Sequence, residues 1–123
     1  MRGLILAAAV WCGAVSSLQA ADQTMADTLF QSLITAQTAR NYDAFIADAS
    51  DPLKAALTRT QFIASSDILN KRFAGGYEVT PFGELNQKGY QTFLYRLRFK
   101  DGSDDILASM SLKADKVEGI YFK

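Results

Sequence analysis

The chain has 123 residues, of which 49% are hydrophobic, and its 13 Lys+Arg balance its 13 Asp+Glu. That length predicts one domain with at most a removable appendage and excludes separate cofactor and substrate domains. A net charge of zero gives no electrostatic footprint for nucleic acid or an anionic membrane surface. The absence of His removes the commonest general base and metal ligand, and one Cys permits no internal disulfide.

The chain begins MRGLILAAAVWCGAVSSLQA. Arg2 supplies a positive n-region, and Gly3 to Val15 is apolar throughout. That run is too short to cross roughly 30 Å of hydrocarbon but suits the h-region of a secretory leader. Ser16, Ser17 and Gln19 restore polarity before Ala20 and Ala21. Residues 1–20 are therefore expected to be a cleaved signal peptide, and 21–123 one periplasmic or secreted domain without membrane attachment. Cys12 is unsuited to lipidation because Trp11 precedes it. With the leader removed, the domain has one net negative charge and no cysteine.

From residue 24 to 39, Met25, Leu29, Phe30, Leu33, Ile34 and Ala36 fall on one face of a 3.6-residue period, which predicts a helix. Asp22 or Thr24 can cap it, and Arg40-Asn41 should close it, with Asn at the break. Tyr42, Phe45, Ile46 and Ala49 form a shorter helical face with Asn41 as its cap. Asp51-Pro52 predicts a one-turn helix opening on Pro52. In Leu57-Thr58-Arg59-Thr60-Gln61-Phe62, Thr58 and Gln61 match a capping box, and Leu57 and Phe62 a hydrophobic staple. That helix should turn Ile63, Leu69 and Phe73 inward and end at Gly75-Gly76.

The period then changes to two. Tyr77 to Leu85 reads as a strand interrupted by Pro81, which suits an edge or a bulge. Tyr90 to Phe99 alternates: Phe93, Tyr95, Leu97 and Phe99 point one way, and Thr92, Leu94, Arg96 and Arg98 the other. Ile106 to Ala114 and Val117 to Phe122 complete four strands joined by short loops. Helices followed by an antiparallel meander predict an α+β fold.

Several features carry the pattern of a known superfamily: the Leu29, Phe30, Leu33 helix face, the Asn41-Tyr42-Asp43-Ala44-Phe45 turn, the Thr58–Phe62 helix start and the closing Val117-Glu118-Gly119-Ile120-Tyr121-Phe122 strand. The chain resembles the nuclear transport factor 2-like (cystatin-like) superfamily, and within it a family of exported bacterial domains of unknown function. The resemblance covers essentially all of residues 21–123. It implies N-terminal helices in the concave face of a curved four-stranded sheet. The superfamily contains isomerases, dehydratases, hydrolases and binding domains, so fold alone selects no activity.

A cone-pocket isomerase or lyase of that kind would use a Tyr and a carboxylate. Here the pair would have to come from Tyr42, Tyr77, Tyr95, Glu78 or Asp48, and no carboxylate holds an unambiguous inward strand position. No catalytic residue is therefore assigned. No nucleophile has a base of the usual kind, and no Gly-rich loop precedes a helix. Asp101, Asp104 and Asp105 form an acidic turn that could present oxygens to Ca²⁺, but the spacing is not that of an EF-hand. No cofactor or metal is expected.

The leading expectation is a non-catalytic binding domain for a small apolar ligand or a protein partner. Its pocket would lie between the first helix and the strand row, lined by Tyr95, Phe93, Leu97, Phe30 and Tyr42, with the Tyr95 phenol as the polar handle. An interaction module with a filled core, acting through its outer sheet face, is the alternative. Leu94, Arg96, Arg98 and Leu107 share that face, and related folds pair through their sheets, which implies a homodimer as one partner.

Overall fold

The computed structural model describes residues 21–123; the expected leader, with Trp11 and Cys12, lies outside them. Helix α1 spans Gln23–Ala39. It forms because Ala26, Phe30, Leu33, Ile34 and Gln37 recur at helical spacing and are all buried. Asp22 caps it, its Oδ1 accepting the Met25 N–H at 2.8 Å. At the other end Arg40 takes the left-handed conformation (φ 56°). Arg40 N–H then reaches Gln37 O, and Asn41 N–H reaches Ala36 O, the paired bonds of a Schellman close. The sequence placed Asn at this break. Asn41 is instead occupied one step later, its Oδ1 accepting the Ala44 N–H to cap α2 (Tyr42–Phe45). The Arg40 guanidinium pairs with Asp67 across the gap to the fourth helix.

Helix α3 (Asp51–Ala56) is capped by Ser50, so Asp51 rather than Pro52 opens it. Pro52 is tolerated at that second position because the first-turn N–H groups have no helical partner. Helix α4 (Arg59–Phe73) starts on the expected capping box. Gln61 N–H donates to Thr58 Oγ1 at 3.1 Å, and Thr58 N–H donates to Gln61 Oε1 at 3.0 Å.

Strands β1 (Tyr77–Gln87), β2 (Tyr90–Phe99), β3 (Ile106–Lys113) and β4 (Lys116–Phe122) form one antiparallel sheet in the order β1-β2-β3-β4. β1 is an edge, and its register shifts between Pro81 and Gly83, as the proline foretold. β4 is the other edge. Its register shifts against Ser111/Leu112, and the segment Asp48–Ser50 pairs in parallel with Val117.

The helices cover one face of the sheet. The inward rows Phe93, Tyr95, Leu97, Phe99 and Ile106, Ala108, Met110, Leu112 are all buried. The Phe30 ring stacks on Tyr95, centroids 4.1 Å apart, and Phe45 tilts on Phe62 at 4.8 Å. Phe73 lies 6.1 Å from Phe99. Each such ring adds its own buried area and an aromatic contact of about 0.5–1.5 kcal/mol. Among the described residues no helix is long and apolar enough to cross a membrane.

Candidate functional site

The helix–sheet space around Tyr95 is filled. Phe30, Tyr95, Phe93 and Leu97 are each at most 1% exposed, so they pack as core and do not line an opening. Large rings on facing elements close this end of the sheet, Phe30 from α1 meeting Tyr95 from β2. Tyr42 is half-buried and donates its phenol to Leu57 O at 2.6 Å, fastening α2 to the residue that precedes the α4 cap.

The Tyr95 phenol does find a carboxylate, and it comes from a helix. It donates to Asp27 Oδ1 at 2.9 Å, and Gln23 Nε2 donates to the same oxygen at 2.7 Å. Burial, then the hydrogen bond and charge of Asp27, push the phenol well above its ordinary value of 10.0; the Gln23 amide acts weakly the other way. The group therefore stays protonated and committed to Asp27. Its ring face is covered by Phe30. What the arrangement does chemically is fasten α1 to β2. Tyr77, Glu78 and Asp48 are not brought to it: Tyr77 packs on Phe73, Glu78 sits opposite Arg98, and Asp48 O accepts from Val117 N–H.

An apolar concavity lies elsewhere, against the open edge of β4, with a volume of about 280 Å³. α3 and its end contribute Leu53, Ala56 and Leu57. α4 contributes Phe62, Ser65 and Leu69, and β4 contributes Gly119 to Phe122. Phe45 from α2 and Gln37 from α1 complete the lining. The geometry follows from local choices in the sequence. The Ser50 cap turns the chain away from β4 after one parallel bridge, and the Thr58–Gln61 capping box then starts α4, whose Phe62, Ser65 and Leu69 face that edge. A wedge is left between α3, α4 and the strand edge. Exposed Ala56 and Tyr121 stand at its rim, and its lining carries no ionised side chain.

Besides Tyr121 at the rim, its polar side chains are Gln37 and Ser65. Gln37 is 2% exposed, and its Nε2 donates to Ser66 Oγ at 2.8 Å and Ser65 Oγ at 3.2 Å. Sequence reasoning missed this network, although a signal was present. Phe30, Leu33, Ile34, Gln37 and Phe62, Ser66, Leu69, Phe73 are apolar helical faces, each interrupted by one polar residue. Two such interruptions imply that the faces meet there, because a buried amide needs a partner.

On the outer sheet face, Leu94, Arg96, Arg98 and Leu107 stand together as the alternation requires. Arg96 lies opposite Leu107, and Leu94 opposite Ser109. Leu107 is 39% exposed and Tyr121 67%. Arg98 Nε lies 3.9 Å from Asp105, and Thr92 shares a 2.9 Å hydrogen bond with Ser111. At the acidic turn, Asp101 is held below its ordinary value by hydrogen bonds from Ser103. Among the described residues no group of three or more His, Cys, Asp or Glu could hold a metal ion.

These residues define an α+β domain, helices first and a four-stranded antiparallel sheet after, with an apolar pocket at one sheet edge. An uncharacterized cystatin-fold protein from Novosphingobium aromaticivorans aligns with it at a TM-score of 0.44 and 14% identity, over 78% of this chain and 95% of that one. No protein-family model and no curated protein matches the chain.

Proposed function

We propose that this is an exported, non-catalytic binding domain, periplasmic or secreted, of the nuclear transport factor 2-like kind, whose ligand is uncharged and mainly apolar. The observation that carries the reading is the 280 Å³ concavity at the β4 edge. Its size and its mostly apolar lining with two polar groups suit a small ligand held by burial and oriented by Gln37 and Ser65. The missing carboxylates and cations in that lining support binding without turnover.

Thermal denaturation tests it with a panel of neutral medium-chain alcohols, amides and phenols. At about a hundredfold excess over Kd a bound compound stabilises by about 2.7 kcal/mol and raises Tm. Ala56→Trp, at the exposed rim, should fill the pocket and abolish that rise without lowering the unliganded Tm. No rise with any compound, or an equal rise in the variant, defeats the reading.

A second reading is favoured by the outer face, where exposed Leu107 and Tyr121 lie beside Leu94. It is a homodimer through Leu94, Arg96, Arg98 and Leu107. Light scattering across a concentration series should then show a dimer that Leu107→Asp converts to monomer.

A further inference from the structure

We propose that the pocket's ligand is an extended peptide, which pairs its main chain with the open edge of β4 while one apolar side chain fills the cavity; this rests on the binding reading above. The main-chain geometry comes first. Lys123 and Leu107 exchange both backbone hydrogen bonds, at 3.0 and 2.9 Å. In an antiparallel pair such residues alternate with ones that make no bond across the ladder. Tyr121 opposite Ser109 and Gly119 opposite Ser111 therefore also face β3. Ile120 and Phe122 turn their N–H and C=O groups the other way, to the edge that borders the pocket.

The same edge already carries a strand at its other end. Val117 N–H donates to Asp48 O, and Ser50 N–H donates to Val117 O, both at 2.8 Å. That pairing stops after one bridge, because Ser50 caps α3 and the chain leaves. Along Ile120–Phe122 no strand of the described residues continues it. The two edges of the sheet differ here. β1 is blunted by Pro81 and its bulge, a common protection against a further strand. β4 has its own bulge at Glu118, beside the Val117 bridge, but no proline and no register shift over Gly119–Phe122.

Side-chain direction fits the same occupant. Ile120 lies opposite buried Met110, and Phe122 opposite buried Ala108, so both point to the helical side. A strand added beside them would send alternate side chains to that side, into the wedge before Phe62 and Leu69. A small apolar molecule fills the wedge but leaves the edge N–H and C=O groups to water. An extended peptide meets both demands, and the uncharged lining selects an aliphatic or aromatic residue for the inserted position.

The test uses acetylated, amidated heptapeptides in which threonine alternates with apolar residues and the central residue is varied. Binding to the purified chain is followed by titration calorimetry, with the neutral compounds above as competitors. Each backbone nitrogen of the best binder is then methylated in turn. Strand pairing requires a two-residue period: methylation at edge-facing nitrogens weakens binding at least about tenfold, and methylation at the nitrogens between them has little effect. Equal tolerance at every nitrogen overturns the proposal. So does a library without any binder when the small compounds do bind, an outcome that leaves the binding reading intact. A β4-to-β4 dimer with no peptide binding also overturns it, since the edge then belongs to a second copy. Failure of both peptides and compounds removes the proposal and the reading together.

Discussion

Single side chains decide where this domain is polar inside. Tyr95 is the clearest case, because Tyr95→Phe keeps the ring stacked on Phe30 and removes only the bond to Asp27. The half-buried carboxylate can recover water, so the expected cost is about 0.5–1.5 kcal/mol in urea denaturation. The same bond predicts a pH effect with a definite sign. The folded phenol keeps its proton to higher pH than the unfolded one, whose pKa is the ordinary 10.0. Its contribution is fully present below that value and is lost as pH rises above it. Urea midpoints should therefore fall more steeply above pH 10.0 in the wild type than in Tyr95→Phe; identical slopes would contradict the assignment. At the Gln37–Ser66 pair the discriminating experiment is a double-mutant cycle. Gln37→Leu strands the buried Ser66 hydroxyl and should cost about 1–3 kcal/mol; Ser66→Ala leaves Gln37 its bond to Ser65 and should cost less, and the double substitution costs clearly less than the sum. Simple additivity would show that the two side chains do not depend on one another.

At the scale of elements, the sequence was most legible where the physics is local. The Thr58–Gln61 box, the change of period at Tyr77 and the Pro81 irregularity need only neighbours a few residues apart, and each is found where expected. Thr58→Ala should cost about 1 kcal/mol and Phe62→Ala roughly 3–5 kcal/mol, because Phe62 is fully buried in the core. Small, equal losses in thermal melts would place the α4 start elsewhere. The Arg40 close was less legible, since Asn41 had two capping positions to choose between and only one side chain. The site was hardly legible at all. Asp27 meets Tyr95 across 68 positions of chain, and no spacing rule reaches that far. The pocket was expected against Tyr95, yet its place depends on Asp48–Ser50 bridging to Val117. That long-range pairing decides which end of the sheet is filled by rings and which is left as a wedge.

Across the whole molecule, α1 is fastened to different partners at its two ends, and the pocket lies by the second. Near its start it is tied to the sheet, through Asp27–Tyr95 and a backbone clamp. Gln91 Oε1 accepts the Ala21 N–H, and Gln91 Nε2 donates to Ala21 O, both at 2.9 Å. Near its end it is tied to α4 through Gln37, so α1 passes from sheet to helix along its length. The clamp makes Ala21 a structural residue, buried to 5% exposure although it precedes the first helix. Cleavage after Ala20, the site expected from the sequence, would leave the clamp and the Asp22 cap intact. A chain starting at Gln23 loses both. The cap is worth about 1 kcal/mol and each clamp bond about 0.5–1.5 kcal/mol, so about 2–4 kcal/mol should go. For a domain of this size that lowers Tm by about 10–20 °C relative to a chain starting at Ala21. Gln91→Ala in the longer chain removes only the clamp and should give a smaller drop in the same direction. If both changes leave Tm within a degree or so, the start of α1 is held by its apolar face alone, and Ala21 has no part in the fold.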